Sequence, residues 1–300
     1  MPHAIVITEL GGPDVLQWRE VQAPEPQRGE VLIRVKAAGI GPTDLHIRAG
    51  HLVSVFPQRA GDVLGFEAAG VVEAVGDGAD AAVGDEVSAL LPAQGGYGEL
   101  VSTPVWYPKP RSVSWVDAAA LPASAEAAVG TLLQSRAAAG ETLVVLGAGG
   151  SVGSIIVQLA HARGIRVVGA ARQRDAELVR EFGGEFVAHD DTVFDRINGR
   201  VDAVIDAAGR GGLTDAVEAV GDPTRVVTLT GGPDVAASGA LMSHPGPDRA
   251  PGALALTMPM LADGTLRLKR RRVLPVAQAA EAHRLLESGE THDKLVLTFE

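Results

Sequence analysis

The chain has 300 residues and contains no cysteine. This absence excludes disulfide bonds, thiolate catalysis and every zinc site that depends on cysteine ligands. Aromatic residues make up only 4% of the chain, and just two of them are tyrosines. Candidate proton donors are therefore few.

Positive charge is also scarce, because 26 Lys and Arg stand against 37 Asp and Glu, for a net charge of -11. Such a chain is not expected to bind nucleic acid or anionic membranes nonspecifically. No apolar run reaches the roughly 18 residues that a membrane span requires. The first residues, MPHAIVITEL, lack the basic and apolar regions of a signal peptide. We expect a soluble, cytoplasmic protein.

The chain does contain many short apolar segments, and the kind of segment that separates them changes along its length. In the first hundred residues, segments 30–40, 65–76 and 84–91 read as strands separated by Gly, Pro and Asp turns. From about residue 115, helical spacing alternates with apolar strands such as TLVVLGA and RVVGAA, which indicates a parallel sheet. Strand-like pieces return after about residue 262. The pattern predicts an α/β protein with a β-rich module and a doubly wound parallel sheet.

Four glycines interrupt the alternation at VVLGAGGSVG, residues 144–153. An apolar strand precedes them, and a helix with one apolar face follows (Val152, Ile155, Ile156, Leu159). Gly150 and Gly153 match two positions of the dinucleotide fingerprint, while Ala148 replaces its first glycine. Amides at such a strand-to-helix turn bind pyrophosphate. A dinucleotide site is favoured over the tight turn of another doubly wound protein, such as a methyltransferase.

The residues after the next strand indicate which coenzyme binds. An acidic residue about 20 positions beyond the glycines would bind the adenosine ribose of NAD. Arg172 and Arg174 occupy this region, and a guanidinium suits the 2′-phosphate of NADP(H). Asp175 is expected to cap the next helix. The alternative for the arginines is a solvated loop.

The chain resembles the medium-chain dehydrogenase/reductase superfamily, and specifically its zinc-free quinone oxidoreductase (zeta-crystallin-like) branch. The resemblance covers nearly the whole chain and rests on several segments in the same order. These are GPTDLHIRAG, GFEAAGVVEAVG, GGYGELV, VIDAAG and AAEAHRLLESGETHDKLVL. It implies a GroES-like substrate domain at residues 1–115 and 264–300 and a Rossmann dinucleotide-binding domain at 116–263. It also implies a homodimer.

Some positions depart from the family pattern. Gly65-Phe66-Glu67 stands where the zinc alcohol dehydrogenases have Gly-His-Glu, so no catalytic metal is expected. Gly41 replaces the usual asparagine, and His46 replaces a frequent tyrosine. Asp190 lies where several relatives place a phosphate-binding tyrosine, which weakens the NADP(H) prediction.

Without a metal to polarise a ketone, conjugated acceptors are favoured, because hydride addition to them gives a delocalised anion. His46 is the first candidate for the proton donor, with a solvent-facing loop histidine as the alternative. Tyr97 is a second candidate, although a packing role is favoured for it. The resemblance also places Lys294 near the cofactor. The residues predicted to bind NADP(H) are Gly150, Ser151, Val152, Gly153, Arg172, Arg174, Ala208, Gly209, Thr230, Gly231, Gly232 and Lys294.

We therefore predict an NADPH-dependent, zinc-independent reductase that transfers hydride to a quinone or an α,β-unsaturated carbonyl. The nearest alternative is an enoyl or alkenal double-bond reductase. A non-catalytic NADP(H)-binding sensor is the second alternative, because the usual asparagine and tyrosine are replaced at Gly41 and His46.

Overall fold

The computed structural model describes residues 1–245 and 249–299. The strands are β1 (His3–Ile7), β2 (Leu16–Glu20), β3 (Val31–Gly39), β4 (Glu67–Val75), β5 (Glu86–Leu90), β6 (Leu100–Thr103), β7 (Val105–Pro108), β8 (Thr142–Leu146), β9 (Arg166–Ala171), β10 (Glu185–Ala188), β11 (Ala203–Asp206), β12 (Val226–Thr228), β13 (Leu241–Met242), β14 (Arg271–Pro275) and β15 (Lys294–Thr298). The α-helices are α1 (Pro42–Arg48), α2 (Trp115–Ala120), α3 (Pro122–Ser135), α4 (Ser151–Ala162), α5 (Ala176–Glu181), α6 (Leu213–Val220), α7 (Pro233–Ser238), α8 (Ala253–Asp263) and α9 (Ala279–Ser288).

The chain forms two compact units. The first contains Met1–Ala123, Leu254–Asp263 and Arg270–Glu300, and the second contains Ser124–Ala253 and Gly264–Lys269. Residues 116–123 thus lie with the first unit, whereas the sequence places them in the nucleotide domain, because α2 packs on β3 and β4. The predicted limits of the functional domains stay a prediction.

The first unit is built on a mostly antiparallel sheet in the order β14-β15-β3-β4-β5-β7, with β6 also paired to β3. β1 and β2 form a separate antiparallel ribbon. In the middle of β3 the side chains alternate, since Ile33 and Val35 are buried and Arg34 is exposed, whereas both ends of the strand are buried throughout. The predicted strands at 30–40, 65–76 and 84–91 are confirmed as β3, β4 and β5.

The second unit is a parallel sheet in the order β10-β9-β8-β11-β12-β13. Counted from β8, this is the order 3-2-1-4-5-6 of a doubly wound dinucleotide-binding fold. Every residue of β8 is buried, as a central parallel strand requires. Ile155, Ile156 and Leu159 of α4 are buried as predicted, while Val152 is half-buried. The predicted fold class is confirmed.

Candidate functional site

The glycine segment forms the turn between β8 and α4. Gly147 has a φ of +83°, a conformation that favours glycine. The amides of Gly147 and Ala148 donate to the carbonyl of Ala170 at 2.9 and 3.1 Å, which ties the turn to β9. Gly153 lets α4 approach this turn, because a Cβ there would lie 2.2 Å from the carbonyl oxygen of Gly147.

Ala148, which replaces the first fingerprint glycine, is accommodated by a neighbouring glycine. Its methyl group lies against Gly169 of β9, where a Cβ would be 2.9 Å from the Ala148 Cβ. Because Gly169 has no side chain, there is space for the methyl group of Ala148. The substitution does not disturb the turn.

The start of α4 can bind an anion. Ser151, Val152 and Gly153 form its first turn, whose amides have no acceptor within the helix. The cap residue Gly150 makes no side-chain hydrogen bond to them, and the helix dipole favours negative charge at this end. Lys269 adds a cation that the sequence analysis missed, since its Nζ donates to the carbonyl of Gly149 at 2.9 Å. Only the tertiary fold brings it here.

A group of arginines lies beyond the carboxyl ends of β9 and β11. Arg172 and Arg174, predicted from the sequence, are exposed in the turn after β9. Burial and the nearby charges of Arg210 and Arg174 lower the pKa of Arg172. Arg210 follows β11 directly after the predicted residues Ala208 and Gly209, but it was not itself predicted, because its proximity to Arg172 depends on how the two loops fold.

Two acidic residues singled out in the sequence, Asp175 and Asp190, make contacts that the sequence did not predict. Asp175 is the N-cap residue of α5, as predicted, but its side chain makes no cap hydrogen bond. Its side chain lies instead against Gly149, where a Cβ would be 2.6 Å from the Asp175 Cβ. Asp190 accepts hydrogen bonds from Arg196 at 2.7 and 3.0 Å, which lower its pKa. Asp190 is therefore paired with Arg196, and its effect on the choice of coenzyme stays a prediction.

The ends of β11 and β12 are held together by Asp206. Its Oδ1 accepts from the amides of Ala208 and Gly209 at 2.9 and 3.0 Å, and its Oδ2 accepts from the Thr228 hydroxyl at 2.9 Å. A Cβ on Gly209 would lie 2.5 Å from Cγ2 of Thr230, so glycine permits this close approach. Gly231 and Gly232 follow directly, and these predicted cofactor residues share the carboxyl edge of the sheet.

In the first unit, α1 carries the predicted proton donor. Asp44 anchors the start of this helix, because its Oδ2 accepts from the amide of Gly41 at 2.8 Å. His46 is exposed, and its Nδ1 lies 3.2 Å from Nδ1 of His51. The sequence did not single out His51.

The first unit contains a group of buried ionisable residues, namely Asp44 of α1, Glu67 and Lys294. Lys294 is 7% exposed, and its Nζ lies 2.5 Å from Oε1 of Glu67 and donates to the carbonyl of Ile40 at 2.9 Å. Burial raises the pKa of Asp44 from 3.8 to about 7, although the amide of Gly41 and the charge of Lys294 oppose this. Oδ1 of Asp44 has no hydrogen-bond partner. The predicted approach of Lys294 to the cofactor stays a prediction.

Tyr97 belongs to the same buried region. It is fully buried, and its hydroxyl lies 3.2 Å from Nε2 of His283. Arg48 donates to Nδ1 of the same ring at 3.2 Å and pairs with Glu287. Since arginine can only donate, His283 carries its proton on Nε2 and donates it to the tyrosine oxygen. The substrate role of Tyr97 stays a prediction, and its burial favours packing.

The residues present do not fit the catalytic zinc site of the alcohol dehydrogenases. Cysteine is absent, and Phe66 occupies the position of their histidine ligand. Both oxygens of Glu67 are engaged, one by Lys294 and the other by the amide of Ala123 at 2.9 Å. Within the described residues, no group of three or more His, Asp or Glu could hold a metal ion.

Two protein-family models match parts of the chain. Residues 27–106 match the alcohol dehydrogenase GroES-like domain, and residues 183–297 match the zinc-binding dehydrogenase domain. In the part of the chain that the structure describes, no helix is both long and apolar enough to span a bilayer.

Several of the similar curated proteins are named oxidoreductases. The quinone oxidoreductase of Rattus norvegicus is 37% identical over 193 residues, which are 62% of this chain and 57% of that protein. The chloroplastic NADPH-dependent alkenal/one oxidoreductase of Arabidopsis thaliana is 32% identical over 243 residues, or 76% of this chain and 62% of that protein. The match thus spans less than two thirds of either relative. The solved quinone oxidoreductase of Coxiella burnetii has a TM-score of 0.87 and 25% identity, covering 100% of this chain and 99% of that one.

Proposed function

Because the chain belongs to the quinone oxidoreductase branch of the medium-chain dehydrogenase/reductase superfamily, we propose that it is an NADPH-dependent, zinc-independent reductase of quinones or α,β-unsaturated carbonyls. NADPH, when bound, supplies a hydride to the conjugated acceptor. The chain then has to hold the coenzyme, place the acceptor and deliver a proton.

The observation that carries this proposal is the anion-binding end of α4. The amides of Ser151, Val152 and Gly153 lie at the carboxyl edge of the central strand β8, beside a cap residue without a side chain. Pyrophosphate binds at this place in doubly wound folds. Lys269, bonded to the carbonyl of Gly149, adds positive charge at the same turn.

We assign the 2′-phosphate of NADPH to Arg172 and Arg174, joined by Arg210. These guanidinium groups are close enough for Arg210 and Arg174 to lower the pKa of Arg172, so a dianion among them would relieve their repulsion. Loss of one charged hydrogen bond should weaken NADPH binding about 10- to 100-fold and leave NADH binding nearly unchanged.

Calorimetric titration of Arg172→Ala and Arg210→Ala with both coenzymes measures this effect. Arg163→Ala is the matched control, since Arg163 is exposed at the other end of α4. Equal weakening of NADPH and NADH binding would contradict the phosphate assignment. Absence of binding of either coenzyme to the wild type would contradict the proposed function.

His46 is proposed to deliver the proton that the reduced acceptor takes up. It is exposed and lies on α1, and a histidine can carry a proton near neutral pH. Loss of a positioned acid typically lowers the rate 10²- to 10⁴-fold, so His46→Phe should fall by about 100-fold or more in kcat. The exposed His161 provides the control variant His161→Gln. An unchanged rate in His46→Phe would remove this assignment.

Quinones and enones are the two candidate classes of hydride acceptor, and turnover assays distinguish them. NADPH oxidation is followed spectrophotometrically with p-benzoquinone and with an enone such as a 2-alkenal. Faster turnover of the enone would favour the alkenal reductase, a candidate supported by the Arabidopsis thaliana relative. Tight NADPH binding without turnover of either acceptor would favour a coenzyme sensor.

We also propose a homodimer. The resemblance suggests pairing through the sheet of the nucleotide-binding unit, where β13 follows β12 at one end of the strand order. Leu241 on β13 is 41% exposed, and β13 lies at the edge of the sheet, where a strand from a second copy could pair. Analytical ultracentrifugation should find twice the chain mass, and Leu241→Lys should shift the equilibrium towards the monomer.

A further inference from the structure

The carboxyl end of α1 brings two histidines together. Gly50 adopts a φ of +84°, which ends the helix in the left-handed conformation. The amide of Gly50 donates to the carbonyl of Ile47 at 3.0 Å, and the amide of His51 donates to that of His46 at 2.9 Å. These two bonds define a Schellman motif. The backbone therefore fixes the spacing of His46 and His51.

In this motif the side chains at the two bonded ends normally meet in an apolar contact. Here both positions are histidine, and the two Nδ1 atoms lie 3.2 Å apart. The ring centroids are 5.5 Å apart, with 48° between the ring planes. Both rings are exposed, so their shared edge can be reached from solvent.

The distance between the two nitrogen atoms matches that of two ligands on one metal ion. A Zn–N bond of about 2.05 Å and a tetrahedral angle place two such nitrogens about 3.3 Å apart. Imidazole is a ligand that Zn²⁺, Cu²⁺ and Ni²⁺ all accept. A single proton between the rings also suits the observed 3.2 Å. A metal ion and this proton would then compete for the same pair of nitrogens.

We propose that His46 and His51 form a two-histidine site for one divalent transition-metal ion. Water would complete the coordination, since no third ligand residue joins them within the described residues. The site is therefore open and reversible. It differs from the family's catalytic zinc site, whose cysteine ligands this chain cannot supply.

Binding is tested on the full-length chain without a polyhistidine tag, with Cu²⁺ as the probe. Electron paramagnetic resonance should show one high-affinity Cu²⁺ per chain, with hyperfine coupling to two imidazole nitrogens. Loss of the second ligand removes the chelate, so His51→Gln should weaken binding about 100-fold. The control His161→Gln should bind like the wild type.

Two results would overturn the proposal. One is a Cu²⁺ spectrum with a single imidazole nitrogen in the wild type. The other is an affinity in His51→Gln equal to that of the wild type. Circular dichroism checks that the variants fold, which is expected because both histidines are exposed.

A second readout uses Zn²⁺ and rests on the proposed function. A metal on Nδ1 of His46 would block proton delivery, so Zn²⁺ should inhibit NADPH oxidation by the wild type. Inhibition of His51→Gln should need about 100-fold more Zn²⁺, matching the loss of chelation. Equal inhibition of both proteins would overturn the site. A metal-free wild type without turnover would contradict the proposed function, while the Cu²⁺ spectra would still decide the site.

Discussion

The pair of Lys294 and Glu67 shows how single residues constrain the first unit. Both are almost fully buried, and Glu67 additionally accepts from the amide of Ala123. Gly39 leaves space for this carboxylate, because a Cβ there would lie 2.1 Å from Glu67 Oε1. Removing one partner of a buried ion pair leaves the other charge buried without a counter-ion.

We expect Lys294→Met to destabilise the protein by about 3–5 kcal/mol, because Glu67 would lose its buried counter-ion. Urea unfolding followed by circular dichroism measures this change. Arg272→Met on the neighbouring strand β14 is the control, since Arg272 is exposed and should change stability by less than about 0.5 kcal/mol. Similar losses in the two variants would show that the ion pair contributes nothing specific.

His283 should make the protein sensitive to acid. Burial, assisted by the charge of Arg48, lowers the pKa of His283 from 6.5 to about 3. Its neutral form therefore contributes stability above pH 6.5, and that contribution is lost as the pH falls from 6.5 towards 3. At pH 5 the loss is about 2 kcal/mol, since only the unfolded chain takes up the proton.

The difference in unfolding free energy between the wild type and His283→Gln isolates the contribution of His283 to the pH dependence. Asp44, whose pKa is raised to about 7, acts in the opposite direction, because its protonation on acidification favours the folded state. Urea unfolding of both proteins at pH 7.5 and pH 5 should show the wild type losing about 2 kcal/mol more than the variant. A difference independent of pH would mean that His283 has the same pKa in the folded and unfolded chains.

At the scale of elements, the junction of β8 and α4 depends on glycine at one helical position. A Cβ at Gly153 would lie 2.2 Å from the carbonyl oxygen of Gly147 and 2.8 Å from Cα of Ala148, both in the turn. Backbone atoms cannot move aside as a flexible side chain can. The helix itself would have to shift.

We therefore expect Gly153→Ala to cost about 1–3 kcal/mol of stability and to weaken NADPH binding, because the amides of α4 would be displaced. Gly252→Ala is the control, since nothing lies within 4 Å of a Cβ at that glycine. Thermal unfolding and calorimetry measure the two effects. Wild-type coenzyme affinity in Gly153→Ala would contradict the proposed position of the pyrophosphate.

At the scale of the whole molecule, coenzyme binding should protect one unit in particular. A ligand at about 100 times its Kd stabilises the protein that binds it by about 2.7 kcal/mol. A chain of two units need not unfold in one step, so hydrogen exchange of separate peptides is more informative than one melting temperature.

Hydrogen exchange with and without NADPH should show slower exchange in peptides that contain the β8–α4 turn and the segment after β9. NADH is the control, and it should protect the turn but not the arginines Arg172 and Arg174. Identical protection by both coenzymes would argue against recognition of the 2′-phosphate.

The sequence alone determined the class of fold and the place of the glycine turn. Those signals are local: apolar runs read as strands, helical spacing reads as a buried face, and glycines mark the turn between them. The absence of cysteine likewise excluded a cysteine-ligated zinc from composition alone. The arginines after β9 were visible because they follow that strand directly.

Only the tertiary structure decided which distant residues meet. Lys269 reaches the carbonyl of Gly149, Arg210 joins Arg172, and Lys294 pairs with Glu67, each across a long stretch of chain. His46 and His51 are near in sequence, yet their contact depends on Gly50 ending the helix in the left-handed conformation. Charge and hydrogen bonding act through space, so these contacts depend on strand order and helix ends that local patterns do not specify.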